Sequence, residues 1–200
     1  MEGLHERDAA ADPVEQFRAW FAEAGEHERQ PDAMALATAT REGVPSVRMV
    51  LLKSVDGRGL AFGTNFDSRK GRELDDNPRA AVTFHWVTLH RAVRVEGRIE
   101  RLPHDESDAI WSARPRGARI AAAASRQSAP IADRDELERA FAEIDAAHPG
   151  EDVPRPAPWG GYRLIPEAWE FWQGRDNRLH DRLRYDPDDA GGWRITRLAP

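Results

Sequence analysis

The sequence predicts an α+β protein, an antiparallel β-barrel with peripheral helices. Short apolar runs of strand length recur along the chain, each bounded by turn residues. Helical patterns are interspersed among them rather than following every strand. The chain has 200 residues and no internal repeat, enough for one domain with a full core and no second one.

The elements follow in order. Residues 1–12 are polar and acidic and are expected to be a disordered tail, leaving 13–200 as the single domain. Asp12, Pro13 and Glu15 form a helix start with an N-cap acid, proline at N1 and an acid at N3. Val14, Phe17, Trp20, Phe21 and Ala24 then share one helical face. Strands are expected at 33–40, 47–55 and 60–64, with Arg41-Glu42-Gly43 and Asp56-Gly57-Arg58-Gly59 as turns. Ser68 caps a short helix ending near Asn77-Pro78, and 80–89 and 93–102 read as two long antiparallel strands. Residues 104–113, 118–124 and 133–147 read as helices, the last with Leu137, Phe141 and Ile144 on one face. A proline-rich connection, 149–158, leads to strands at 161–165, 168–172, 179–185 and 193–198.

Composition narrows the function. The net charge of -6 argues against non-specific nucleic-acid binding. Without cysteine there is no disulfide, thiolate metal site or cysteine nucleophile. No histidine pair has the spacing of a zinc site, so no metal is expected. No apolar run reaches the roughly 20 residues of a membrane span, and the N-terminus does not read as a signal peptide. The expectation is a cytoplasmic protein without membrane or nucleic-acid partners. Dinucleotide, Walker A and GxSxG patterns are absent.

Residues 169–185, WEFWQGRDNRLHDRLRY, concentrate aromatic and cationic side chains. In an extended 179–185, His180, Arg182 and Arg184 share one face, and Leu179, Asp181, Leu183 and Tyr185 the other. Such a group suits a flat anionic aromatic ligand; a surface hairpin with solvated arginines is the plain alternative. Arg48 and Lys53 lie at opposite ends of an apolar strand, as a phosphate clamp or as solvated strand ends. Thr64 to Gly71 runs from a strand into a helix start, where backbone N–H groups with Arg69 and Lys70 make an anion site. Ordinary capping by Ser68 is compatible with that role. Gln127 and Ser128 can donate to phosphate but alone read as loop residues; Trp86 and Trp111 read as core. Lys53 and Lys70 are the only lysines.

Taken together, RMVLLK (48–53), TNFDSRKGREL (64–74), SRQS (125–128), WGGYRL (159–164), EFWQG (170–174), RLHDR (178–182) and RLAP (197–200) resemble the pyridoxine/pyridoxamine 5′-phosphate oxidase family. The likeness runs from about Ala33 to Pro200. It implies an FMN-binding split barrel and a homodimer with FMN between the subunits. It places FMN contacts on Arg48, Met49, Val50, Leu51, Lys53, Thr64, Arg69, Lys70, Gln127, Ser128, Trp172 and Arg182. Substrate contacts fall on Lys53, Arg114, Arg178 and His180, with Arg178 and His180 as the catalytic pair over the flavin.

The implied reaction oxidises pyridoxine or pyridoxamine 5′-phosphate to pyridoxal 5′-phosphate, with molecular oxygen as acceptor and hydrogen peroxide as by-product. The chain also departs from the family pattern. Ala92 stands where the family has a flavin-contacting glutamine, Ile110 and Ala118 where it has a tyrosine and a serine for the substrate phosphate, and Gly63 where it has a tyrosine. Trp111 and SRQS are similar to the related oxidases of phenazine biosynthesis, whereas Lys53 matches the vitamin oxidases. Two alternatives therefore stand beside the first: an FMN oxidase of another ring, such as a phenazine precursor, and a non-catalytic flavin- or pyridoxal-phosphate-binding module.

Overall fold

The computed structural model describes residues 3–200. In chain order the elements are α1 (Pro13–His27), β1 (Ala33–Ala39), β2 (Pro45–Asp56), β3 (Gly59–Asn65), α2 (Arg69–Asp76), β4 (Arg79–Trp86), β5 (Arg91–Arg101), α3 (His104–Ser112), α4 (Arg116–Ala124), α5 (Arg134–Ala147), β6 (Trp159–Gln173), β7 (Asp181–Pro187) and β8 (Trp193–Arg197). Strands β3, β2, β1, β4, β5 and β6 lie in that order, and β6 pairs back onto β3 to close an antiparallel barrel. Closure leaves these six strands without a free edge between them.

Strand β6 serves two neighbours on the same side. Residues 159–164 pair with β3, and residues 169–173 pair with β7, which carries β8 beyond it. The barrel is thus split where β6 leaves β3 for β7. The sequence pattern places two strands here, 161–165 and 168–172; the structure keeps one continuous strand from Trp159 to Gln173. The β5–β6 register shifts between Glu96 and Gly97, opposite Pro166 and Ala168, and a proline is tolerated at such an irregularity. A Cβ on Gly97 would lie 2.0 Å from the Ile165 carbonyl oxygen, so only glycine permits this approach.

Inside the barrel, alternation does what strand geometry requires: Met34, Leu36 and Thr38 of β1 point inward. Helix α1 covers one barrel end. Asp12 caps it by accepting from the Val14 N–H at 2.8 Å. Phe17 then packs among Phe84, Trp86 and Trp169, with ring centroids 5.0–6.0 Å apart. A second, smaller core of Trp111, Ile120, Val153 and Trp159 joins α3, α4 and the connection before β6.

Two expectations are corrected. Residues 3–12 are not a loose tail. Leu4 is 7% exposed, its N–H donates to Asp181 at 3.1 Å, and Glu6 pairs with Arg197 at 2.8 Å. These partners lie more than 170 residues away, and local composition carries no trace of them. Residues 1 and 2 lie outside the described residues. The second correction concerns 179–185. The chain makes a single 3-10 turn at Asp176–Arg178, and the strand starts only at Asp181. Leu183 and Tyr185 are fully buried as expected, but Leu179 is 69% exposed because it precedes the strand.

Candidate active site

A cavity of about 730 Å³ opens between the outer side of β2, the end of β3 and helices α4 and α5. It holds eight of the residues singled out in the sequence: Met49, Val50, Leu51, Lys53, Thr64, Lys70, Arg114 and Gln127. Strand β2 contributes Met49, Leu51 and Lys53 from its outward face, whereas Val50 between them also packs against the barrel core.

Lys70 forms one end. It is 7% exposed, and its ammonium donates to Thr64 Oγ1 at 2.8 Å, Ser68 Oγ at 3.1 Å and Gln127 Oε1 at 2.8 Å. All three partners are neutral. Burial, reinforced by the nearby Arg48 charge, lowers its pKa to about 8. Ser68 also caps α2 by accepting from the Gly71 N–H at 3.2 Å, so capping and cation placement share one side chain.

Arg48 and Arg69 do not line the cavity; they meet beside it on Glu73. The Glu73 carboxylate accepts from Arg69 Nε at 2.8 Å, Arg48 Nη2 at 3.2 Å and Ser46 Oγ at 2.6 Å, and also from the Thr38 hydroxyl. Burial alone would raise its pKa, but the hydrogen bonds from Ser46, Thr38, Arg69 and Arg48 outweigh burial and hold it at about 2. Glu73 escaped the sequence reading. Its one local signal was the i, i+4 spacing to Arg69 on α2.

The opposite wall carries Arg114. Its guanidinium lies 5.2 Å from the Trp159 ring centroid and donates to the Ala118 carbonyl at 2.9 Å. Its Nε is buried and has no hydrogen-bond partner among the described residues, and burial lowers its pKa. Lys53 sits 3.9 Å from the Asp32 carboxylate. Leu137 and Phe141, on the apolar face of α5, line the cavity, and Ile144 of the same face packs against the second core. Three of the four departures from the family pattern, Gly63, Ile110 and Ala118, lie at or beside this wall. Ala118 lines the cavity. A Cβ on Gly63 would meet the Trp159 ring at 2.7 Å and Ile110 Cγ2 at 3.3 Å, so Trp159 fills the space a side chain at 63 needs. Ser128 is exposed, with φ of 72°, and is not among the lining residues.

The remaining sequence-predicted residues form a separate cluster at the β6–β7 end. The Trp172 and His180 rings lie 4.6 Å apart. His180 Nδ1 accepts from the Arg175 N–H at 3.1 Å, so the neutral ring carries its proton on Nε2 and presents a donor there. Arg182 forks onto the buried Glu170 through Nε at 2.8 Å and Nη2 at 3.0 Å, with Arg94 on the same carboxylate at 3.1 Å. Asn177 and Arg178 take left-handed φ values of 57° and 62°, a strained turn that projects this loop. Ala92 is the cross-strand partner of Trp172.

Residues 14–148 match the family profile described as pyridoxamine 5′-phosphate oxidase, and residues 159–200 match the pyridoxine 5′-phosphate oxidase C-terminal dimerisation region. The chain belongs to the pyridoxine/pyridoxamine 5′-phosphate oxidase family. It is thus an oxidoreductase of a flavin-dependent family. It is 53% identical to the pyridoxine/pyridoxamine 5′-phosphate oxidase of Cupriavidus pinatubonensis, covering 100% of this chain and 94% of that one. It is 54% identical to the Rubrobacter xylanophilus protein of the same name, covering 99% and 91%. Among solved structures it is similar to PhzG of Burkholderia lata in complex with tetrahydrophenazine-1-carboxylic acid. The TM-score is 0.93 and the identity 36%, over 100% of this chain and 99% of that one. The split barrel recurs in a Nostoc punctiforme protein at TM-score 0.76 and 17% identity, covering 96% and 100%. The cavity residues up to Gln127 fall in the first matched segment, while Trp172, Arg178, His180 and Arg182 all fall in the dimerisation region.

Proposed function

We propose that this chain is an FMN-dependent oxidase of pyridoxine and pyridoxamine 5′-phosphate, with molecular oxygen as acceptor, acting in the cytoplasm as a homodimer with FMN between the subunits. One observation carries the reading. Thr64 and Gln127, 63 residues apart, converge with Ser68 on the buried Lys70 ammonium at the end of a cavity. A buried cation with only neutral partners fits a phosphate monoester.

In this reading Lys70, Thr64 and Gln127 hold the cofactor phosphate, with Arg48, Arg69 and the exposed Ser128 beside them, and residues 49–51 lie along the ring. FMN supplies the two-electron acceptor. The protein's own groups supply binding, orientation and proton placement. Lys53 and Arg114 hold the anionic end of the substrate, Arg114 through its unpartnered Nε. His180 offers Nε2–H to the substrate ring, fixed in that tautomer by the Arg175 N–H. Arg178 brings a cation to the same ring. In one chain the Trp172–Arg182 cluster does not line the cavity. The match of that cluster to a dimerisation region supports completion of the cavity by the partner subunit.

The second reading, oxidation of another ring compound, is favoured by Ile110 and Ala118, which offer no hydroxyl where a phosphate clamp needs donors. The likeness to PhzG also supports it. Anaerobic mixing with pyridoxine 5′-phosphate tests the first reading: the flavin absorbance near 450 nm should bleach within one turnover. A flavin that bleaches only with an unphosphorylated polycyclic carboxylate would give the second reading its place. No bleaching with either would leave a binding module.

A further inference from the structure

The cationic corner beside the cavity holds one anion of its own. Arg48 and Arg69 share the Glu73 carboxylate, and the Arg48 charge is felt at Lys70. Glu73 is 5% exposed, whereas the Arg69 side chain is 57% exposed. The carboxylate cannot swing aside, because three elements pin it. Thr38 of β1 and Ser46 of β2 donate to Oε2, and the side chain itself projects from α2. Three cations and one fixed carboxylate leave two net positive charges. A phosphate monoester carries about 1.5 to 2 negative charges at neutral pH, so the corner and such a ligand come close to neutralising each other.

We propose that Glu73 is a specificity-determining residue of this corner: its carboxylate cuts the positive charge by one unit and so matches the site to a single phosphate monoester. The inference rests on the proposed FMN site. Without Glu73, Arg48, Arg69 and Lys70 would present three charges to any anion, and smaller ubiquitous anions would be held as well. A buried carboxylate next to an anion site is also a standing repulsion in a medium of low effective dielectric. Its removal therefore has a signature that structural damage cannot mimic, a gain of affinity restricted to phosphorylated ligands.

The test uses full-length protein stripped of flavin. Binding of FMN and of riboflavin, which has the same ring system without the phosphate, is measured by quenching of flavin fluorescence. Inorganic phosphate serves as competitor. Wild type should bind FMN at least about tenfold more tightly than riboflavin; equal binding would remove the FMN reading itself, whatever Glu73 does. Glu73→Gln should bind FMN about tenfold more tightly than wild type and lose more FMN to inorganic phosphate, with riboflavin unchanged. Glu73→Met, of similar length and also uncharged, should repeat the gain if the amide disturbs the two hydroxyls. If wild type discriminates but neither variant gains FMN affinity, the inference is overturned and the cofactor reading survives. Joint loss of FMN and riboflavin in both variants would mark Glu73 as a support of the fold and overturn it equally.

Discussion

Lys70 couples the pH behaviour of the protein to its cofactor. Burial lowers this lysine from 10.5 to about 8. Between those values the unfolded chain holds a proton that the folded chain has lost, so stability of the flavin-free protein should rise with pH across that window. FMN affinity should move the opposite way, falling above about pH 8, because the phosphate needs the ammonium. Thermal melts and flavin titrations at pH 7.5, 8.5 and 9.5 check both slopes, and Lys70→Met should flatten both; parallel slopes would refute the placement. Arg69→Ala with Lys70→Ala should weaken FMN by at least about a hundredfold, since charge-assisted hydrogen bonds contribute roughly 1.5–3 kcal/mol each. At the other cluster, Arg178→Ala and His180→Ala should keep FMN yet slow substrate-dependent flavin reduction by about a hundredfold. Wild-type reduction rates in stopped flow would make both residues structural. The residue types were legible in the sequence, but the His180 tautomer was not, because it depends on the Arg175 N–H in a strained turn.

At the scale of elements, β3, α3 and the start of β6 trade space with one another. Gly63 lets the Trp159 ring lie against the barrel, and Ile110 packs in the same small core. Gly63→Ala should therefore destabilise by about 1–3 kcal/mol through overpacking, seen as a lowered melting temperature; an unchanged one would mean the Trp159 ring yields freely. Restoring a tyrosine at Ile110 meets the same crowding. Ala118 is different: it lines the cavity, and its carbonyl accepts from the Arg114 guanidinium. Ala118→Ser should lower KM for pyridoxine 5′-phosphate about tenfold, one hydrogen bond to a charged group, with FMN affinity unchanged. A flat KM would favour the unphosphorylated ring substrate. Helix periods and caps were readable locally, as with Asp12 and Ser68. The unbroken β6 was not, because its irregularity at Pro166 is matched by Gly97 on another strand.

For the whole molecule, the cavity and the Trp172–Arg182 cluster are two halves of one proposed site. If they join across a two-fold interface, each site takes its cavity from one subunit and its 174–182 loop from the other. Two individually impaired variants, Lys70→Met and His180→Ala, should then complement each other. Refolded together in equal amounts, they should recover about a quarter of wild-type activity, because half the dimers are mixed and each mixed dimer has one intact site. No recovery in dimers shown to be mixed would mean both halves come from one chain. Sedimentation at micromolar concentration should give a dimer, and a flavin-loaded monomer would contradict the shared site.

The sequence by itself determined the barrel class, the order of nearly every element, the family, and Lys53, Lys70 and Arg114 among the cavity cations, but not Arg134. Those properties depend on periodicity, turn chemistry and strings of adjacent residues, all local along the chain. Only the tertiary structure decided that residues 3–12 are packed, that β6 is one strand serving two neighbours, and that Glu73 joins Arg48 to Arg69. It alone also separated the cavity from the Trp172–His180 pair. Each of these depends on contacts between residues remote in sequence, from Leu4 with Asp181 to Lys70 with Gln127. Such contacts follow from strand register and barrel closure, and no local pattern encodes them.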